Sequence, residues 1–183
     1  MDRSDRAVER KHAFGINCCQ AVLLEFAPEI LKHWGLRPEV TAAENSAMNT
    51  ITSVNPAMEA LMALGSGFGG GMGCGDATCG ALVGAGMVAG LLNSRGNSTS
   101  AAASADNASA SYDNQIRRMP TSMITKDMCK DFKDRVGALR CSDIKGIQVD
   151  PSTGNIIRGK VLCSCDDCVR HAVNLCARYV FNN

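Results

Sequence analysis

Residues 65 to 81 read GSGFGGGMGCGDATCGA. Seven of the first eleven are glycine, and the stretch carries two cysteines, Cys74 and Cys79. A backbone this bare serves either to cradle a phosphate or to fold closely around a thiolate, and the two uses imply different folds. Gly65, Gly67 and Gly70 formally fit GxGxxG. That fingerprint works only after a strand and before a helix, with an acid about 20 residues further on. Here the preceding residues, AMEALMAL, are helix formers, and no acid lies near position 90. No Lys-Ser or Lys-Thr follows, so a P-loop fails too. The sulfur reading is preferred: glycines let the backbone come close to a thiolate and donate N–H groups to it. Phe68 and Met72 are expected to fold over the loop and shield it from solvent.

Working outward, the neighbours of this stretch read as helices. Pro56 opens PAMEALMALGSGF, which the glycines end, and a further helix is expected from about Thr78 to Leu92, with Asp76 and Thr78 as candidate caps. Upstream, Arg6 to Phe14 is a short helix ending at Gly15. Asn17 caps a second helix that starts CCQAVLLEFA, and Pro28 suits the first turn of a continuation, PEILKHW, stopping at Gly35. Pro38 begins PEVTAAENSAMNTITSV, read as partly helical. Downstream, Asn93 to Asn114 holds almost no large apolar side chain. It reads as a flexible Ser/Ala-rich insert, at about 93–119, that is dispensable for folding. Order resumes at Thr121, where Met128, Phe132, Val136 and Leu139 mark a helix stripe. IQV and IIRGKV flank the turn DPSTGN as a hairpin, and Cys168, Ala172, Leu175 and Tyr179 form the buried stripe of a last helix. The expected fold is mainly α, a single-domain helical bundle over 1–183 with a Gly-rich loop and one short β-hairpin.

The composition agrees. Of 183 residues, 45% are apolar and only 4% aromatic, so Ala, Leu, Val and Met fill the interior, which favours helices. A net charge of +1 without a basic stripe argues against nucleic acid. The longest apolar run, Ala81 to Leu92, is too short to span a bilayer, and its pairs Gly80/Gly84 and Gly86/Gly90 are read as close helix packing in a core. The charged N-terminus MDRSDRAVERKHAF shows no signal peptide. Ten cysteines are therefore expected in a reducing, cytoplasmic setting, where they point to metal, cluster or redox chemistry more than to disulfides.

Position sorts the cysteines. Cys18, Cys79 and Cys165 each fall in the first turn of an expected helix, where free N–H groups and the dipole favour a thiolate. Cys163, Cys165 and Cys168 put three thiols within six residues at one helix start. Cys19 and Cys176 sit among apolar neighbours and read as core. His12, His33 and His171 have no ligand spacing and read as surface or packing residues, and the methionines read as core fillers.

The segments NCCQAVLLEF, SGFGGGMGCGDATCGALVGAGM, FKDRVGALRCSDIKG and CDDCVRHAVNL, in that order, resemble the redox-active proteins named after their C-GCAxxG-C-C cysteine pattern. The resemblance implies a helical fold whose cysteines hold an iron–sulfur centre, as in related domains fused to haem-binding segments in split-Soret cytochromes. It places Cys18, Cys79, Cys141 and Cys165 at the family positions, as cluster or metal ligands. The chain departs from the pattern by its insert and by extra cysteines at 19, 74, 129, 163, 168 and 176. Cys74 and Cys168 are the alternates for ligand roles. No CxxCH occurs, so covalent haem is not expected.

Three functions follow. The first is an iron–sulfur redox protein working with a redox partner protein, with no nucleic acid and no membrane span, and with a homodimer left open. The second is a thiol–disulfide oxidoreductase using Cys165–Cys168 or Cys74–Cys79. The third is a structural zinc module with Cys₄ coordination.

Overall fold

The computed structural model describes residues 1–36, 55–93 and 121–181. Helices α1 (Arg3–Ala13) and α2 (Cys18–His33) come first. After them stand α3 (Pro56–Ser66), the single turn α4 (Gly69–Met72) and α5 (Gly80–Asn93). The last described stretch holds α6 (Thr121–Val136), the short α7 (Cys141–Lys145), strands β1 (Ile147–Val149) and β2 (Ile156–Arg158), and α8 (Cys165–Phe181). The expected Pro38 helix and the insert lie outside the described residues, apart from Asn93, which ends α5.

Local chemistry sets most helix ends. Asn17 closes a capping box on α2: its side-chain oxygen accepts from Cys19 and Gln20 N–H, and the Gln20 side chain accepts from Asn17 N–H. Asn55 caps α3 by accepting from the Ala57 and Met58 N–H groups, with Pro56 at the first helical position. Gly15, with φ +62°, follows α1 as expected. α2 differs from expectation at one point. It runs through Pro28 without a break, because Ala27, Ile30 and Leu31 are all buried and their packing outweighs one missing hydrogen bond.

α5 lies at the centre, against α2, α8 and α6. Its contact with α2 is close because Gly84 has no side chain. A Cβ there would lie 2.9 Å from the Cys19 carbonyl oxygen and 3.0 Å from Val22 Cβ. The first glycine pair therefore packs as read. The second does not: Gly86 makes only an ordinary contact with Thr125, and Gly90 has open space. Phe26, Phe132, Leu23, Met128, Val22 and Val88 fill the interior, each worth about 1.5–3 kcal/mol of burial. Phe26 also stacks on Phe181, with ring centroids 5.5 Å apart. Among the described residues no helix is long and apolar enough to cross a membrane.

α1 is tied down by charge. Glu25, buried on α2, accepts from Arg6 at 2.5 and 3.1 Å and from Arg10 at 3.1 Å. Further along α1, Lys11 meets Asp166 of α8 at 2.7 Å. The hairpin forms around the residues expected, with Gln148 opposite Ile157 and DPSTGN as the turn.

Candidate functional site

Four stretches of chain deliver cysteines to one small cavity. Its wall comprises Cys18, Cys79, Cys141, Cys165 and Cys168, with Gly70, Gly80, Ile144 and Lys145. All four cysteines at the expected ligand positions are there, and so is Cys168, one of the two alternates. The other, Cys74, is exposed, is not on the wall, and turns its thiol to the Gly71 carbonyl at 3.1 Å.

Each thiol is placed by backbone chemistry. Cys18 is the first residue of α2, just after the Asn17 cap. The Asn17 amide also donates to the Gly65 and Ser66 carbonyls, at 3.1 and 2.9 Å, which fastens the end of α3 to the start of α2. Cys79 and Cys141 are held together by a short two-way pairing. Cys79 N–H donates to Leu139 O at 2.8 Å, Cys141 N–H donates to Ala77 O at 2.9 Å, and Thr78 and Arg140 form a β-bridge between them. Cys165 opens α8, and Ser164 Oγ beside it accepts Asp167 N–H at 3.0 Å in the manner of an N-cap. Cys168 is one turn further on the same face.

Two corrections sharpen the expected picture. Cys79 is not in the first turn of α5; it precedes the helix, and its carbonyl accepts from Val83 N–H at 3.0 Å. Its own sulfur accepts from the Ala81 and Leu82 N–H groups, so the thiol does the capping expected of Asp76 and Thr78. Asp76 instead pairs with Arg140 at the surface. The second correction is that Cys141 also starts a helix, α7, which makes four helix-start thiols where three were expected.

The glycine loop now has its explanation. Gly70, Gly71, Met72 and Gly73 all take positive φ, so the chain makes one left-handed turn. A Cβ on Gly71 would lie 2.7 Å from Cys141 Cβ, and one on Gly69 would lie 2.7 Å from Asn17 Cβ. A Cβ on Gly80 would collide with the Phe68 carbonyl oxygen. The loop is bare because it is pressed against the segments that carry Cys18, Cys79 and Cys141. Phe68 does pack on the core, but Met72 does not shield the site: the left-handed turn leaves it exposed.

Hydrogen bonds between thiols set their ionisation. The bond from Cys18 lowers Cys165 to about 6 against the cost of burial, with the Lys145 and Lys11 cations in support. Cys18 is raised in turn, by that bond and by burial. The bond from Cys168 lowers Cys79 to about 7, again against burial, with help from the two α5 N–H groups. Cys168 is raised by the same bond and by burial, and burial raises Cys141. In each pair one thiol is lowered and its partner raised. Lys11 and Lys145 escaped the sequence reading because a lysine carries no spacing signal that ties it to distant cysteines. No histidine lines this cavity.

The donor set is chemically that of an iron–sulfur or zinc centre: five soft sulfurs with no carboxylate among them. The arrangement is closed. The cavity measures about 30 Å³, room for a water or two, and among the described residues no three or more His, Cys, Asp or Glu side chains are placed so that they could hold a metal ion. A cluster of several atoms would require the two thiol pairs to part.

Residues 42–179 match the family model described as "Putative redox-active protein (C_GCAxxG_C_C)". The chain belongs to this redox-active family. Cys79, Cys141, Cys165 and Cys168 fall within the matched residues, and Cys18 precedes them. No curated protein and no solved structure matches the chain.

Proposed function

We propose that the protein is an electron-transfer protein whose centre is an iron–sulfur cluster held by Cys18, Cys79, Cys141 and Cys165, with Cys168 as the neighbouring fifth sulfur. One observation carries this reading: four remote stretches of chain bring these thiols, and no competing hard ligand, to a single cavity. Such a cluster, when bound, supplies a one-electron change of iron valence. The chain's part is to position and to bias. The helix-start N–H groups of α5 donate to Cys79, and Lys11 and Lys145 offset the negative charge near Cys165. Gly70 and Gly80 put bare backbone on the wall. Anaerobic purification followed by iron and acid-labile sulfide quantitation and EPR tests the reading. Both elements and a paramagnetic signal in one redox state are expected. Zinc in their place would identify a structural module and overturn it.

A second reading is favoured by the closed cavity and the thiol pairs. Cys165 with Cys18, and Cys79 with Cys168, each join a thiol of lowered pKa to one of raised pKa on the same cavity wall, as a dithiol–disulfide couple requires. A colourless protein that takes up two electrons per disulfide would favour it. The Cys74–Cys79 pair is dropped, because Cys74 is turned away from the cavity.

A further inference from the structure

We propose that the β1–β2 hairpin, with the short stretch that follows it, is the docking surface for a redox partner protein, one that presents acidic side chains around a small apolar patch. This rests on the redox reading of the thiol site for the class of the partner, and not on which centre the site holds.

The hairpin leaves bare what a strand pair ordinarily covers. Among the described residues β1 and β2 pair only with each other. A two-stranded sheet is marginal by itself and gains from a further surface. Val149 stands opposite Ile156, so their side chains share one face, yet they are 62% and 65% exposed. Ile157, on the other face, and Val161 and Leu162, just beyond β2, are exposed as well. Apolar side chains scattered singly on a surface need no explanation, but five gathered on one small element mark an interaction site.

Both arms of the hairpin run into the thiol site. β1 leaves α7 through Gly146, and α7 carries Cys141, Ile144 and Lys145 of the cavity wall. A Cβ on Gly146 would lie 2.5 Å from the Lys160 carbonyl oxygen, so the arms are pressed together at this root. On the return, Leu162 N–H donates to Ile144 O at 2.8 Å, and Cys165 follows three residues later. A protein seated on the hairpin therefore stands beside the wall that holds Cys141 and Cys165.

Charge selects the occupant. Arg158 lies opposite Ile147, on the same face as Val149 and Ile156, and Lys160 follows it. Both are exposed, and neither forms an ion pair with any described residue. Asp150, the carboxylate of the hairpin, is taken up by Ser152, whose N–H and Oγ donate to it at 2.8 and 2.6 Å. A second copy of this face would set Arg158 and Lys160 against like charges, whereas an acidic partner is attracted and oriented. Size agrees with charge. A stable interface takes about 20–30 residues a side, while electron-transfer encounters are the smallest class.

The test uses the full chain and, as probe, a plant-type ferredoxin, a small acidic redox protein. Binding is measured by titration calorimetry, with iron and sulfide quantified on the same preparation. Binding is expected at low ionic strength and should weaken as salt is added. Arg158→Glu with Lys160→Glu, and separately Val149→Ser with Ile156→Ser, should each raise Kd about tenfold or more. Lys126→Glu with Lys130→Glu, an equal charge change at exposed positions of α6, should move Kd about twofold or less. All the altered side chains are exposed, so each variant should match the parent by circular dichroism. Absence of binding, or an equal loss in the α6 variant, overturns the proposal. So does a dimer by light scattering that Val149→Ser with Ile156→Ser returns to monomer, since a second copy then covers the face. A preparation without iron that still binds through the hairpin supports the docking and removes the cluster. One with iron and sulfide that binds no ferredoxin keeps the cluster and ends the docking.

Discussion

Cys18 and Cys19 are neighbours in sequence and belong to different worlds in the fold. Cys18 faces the thiol cavity, shares a hydrogen bond with Cys165 and lies near Cys79 and Lys11. Cys19 is fully buried in the α2–α5 interface, its thiol 3.8 Å from the Met87 sulfur, and burial alone pushes it up to about 12. Cys165 and Cys176 repeat the contrast along α8. Cys165 is lowered by the hydrogen bond from Cys18, whereas Cys176 is raised by burial, its thiol directed to the Ala85 carbonyl at 3.9 Å. One residue type does two jobs. At the cavity other sulfurs, cations and, at Cys79, helix-start N–H groups bias its ionisation, and in the core it is a small apolar filler.

The strongest way to break this contrast is to remove thiols one at a time. Serine at Cys18, Cys79, Cys141 or Cys165 exchanges a soft donor for a hard hydroxyl, so each variant should lose most of its iron after anaerobic reconstitution. Cys19→Ser and Cys176→Ser should keep theirs, as measured by iron per chain. Full iron in all four cavity variants would remove the contrast altogether.

A smaller effect is expected where the loop touches the cavity. Gly71→Ala must place an alanine at φ +68° with its Cβ 2.7 Å from Cys141 Cβ. The strain and the overlap together should cost about 2–4 kcal/mol, measured by denaturant unfolding. Gly90→Ala, in open space, should cost nothing, and equal losses at the two sites would show that the loop is slack.

Core thiols should respond in stability alone. A hydroxyl buried at position 19 without a partner costs about 1–3 kcal/mol, so Cys19→Ser should unfold at lower denaturant while binding the same iron. A change in iron without a change in midpoint would contradict its placement.

The finest probe is pH. A thiol lowered from 9 to about 6 remains thiolate until the pH falls through 6. Iodoacetamide should therefore label Cys165 of iron-free protein at a rate that rises through pH 6 and levels off above it. Lys145→Gln removes one favourable cation and should move that midpoint upward; a midpoint near 9 in the unaltered protein would end the assignment.

Much of this was legible in the sequence because it is written in local code. Asn17 before an apolar run, Pro56 at a helix start, DPSTGN between short β-branched runs and the spacing of Cys168, Ala172 and Leu175 each name a structure by itself. The rest was not local. α7 has five residues, too few for any periodicity, so Cys141 gave no sign of starting a helix. Cys79 hid its capping role because caps are sought among oxygen-bearing side chains, and sulfur is outside that set. Pro28 argued for a break that tertiary burial overrode. The approach of Cys168 to Cys79 depends on how α8 meets the start of α5, which no window of sequence contains.

Gly80 carries one last consequence. By local preference alone it is a poor residue for a helix start, and alanine would favour α5 by about 1 kcal/mol. Yet a Cβ there would strike the Phe68 carbonyl and come within 3.6 Å of the Cys19 amide, which joins the loop, α2 and α5 at one point. Cys18 and Cys79 sit on either side of that point. The spacing of the two sulfurs is therefore gauged by an absent methyl group. An engineer raising the melting temperature by replacing helical glycines with alanine would find Gly80 near the top of any list based on propensity, yet there the new methyl would overlap backbone rather than fill open space.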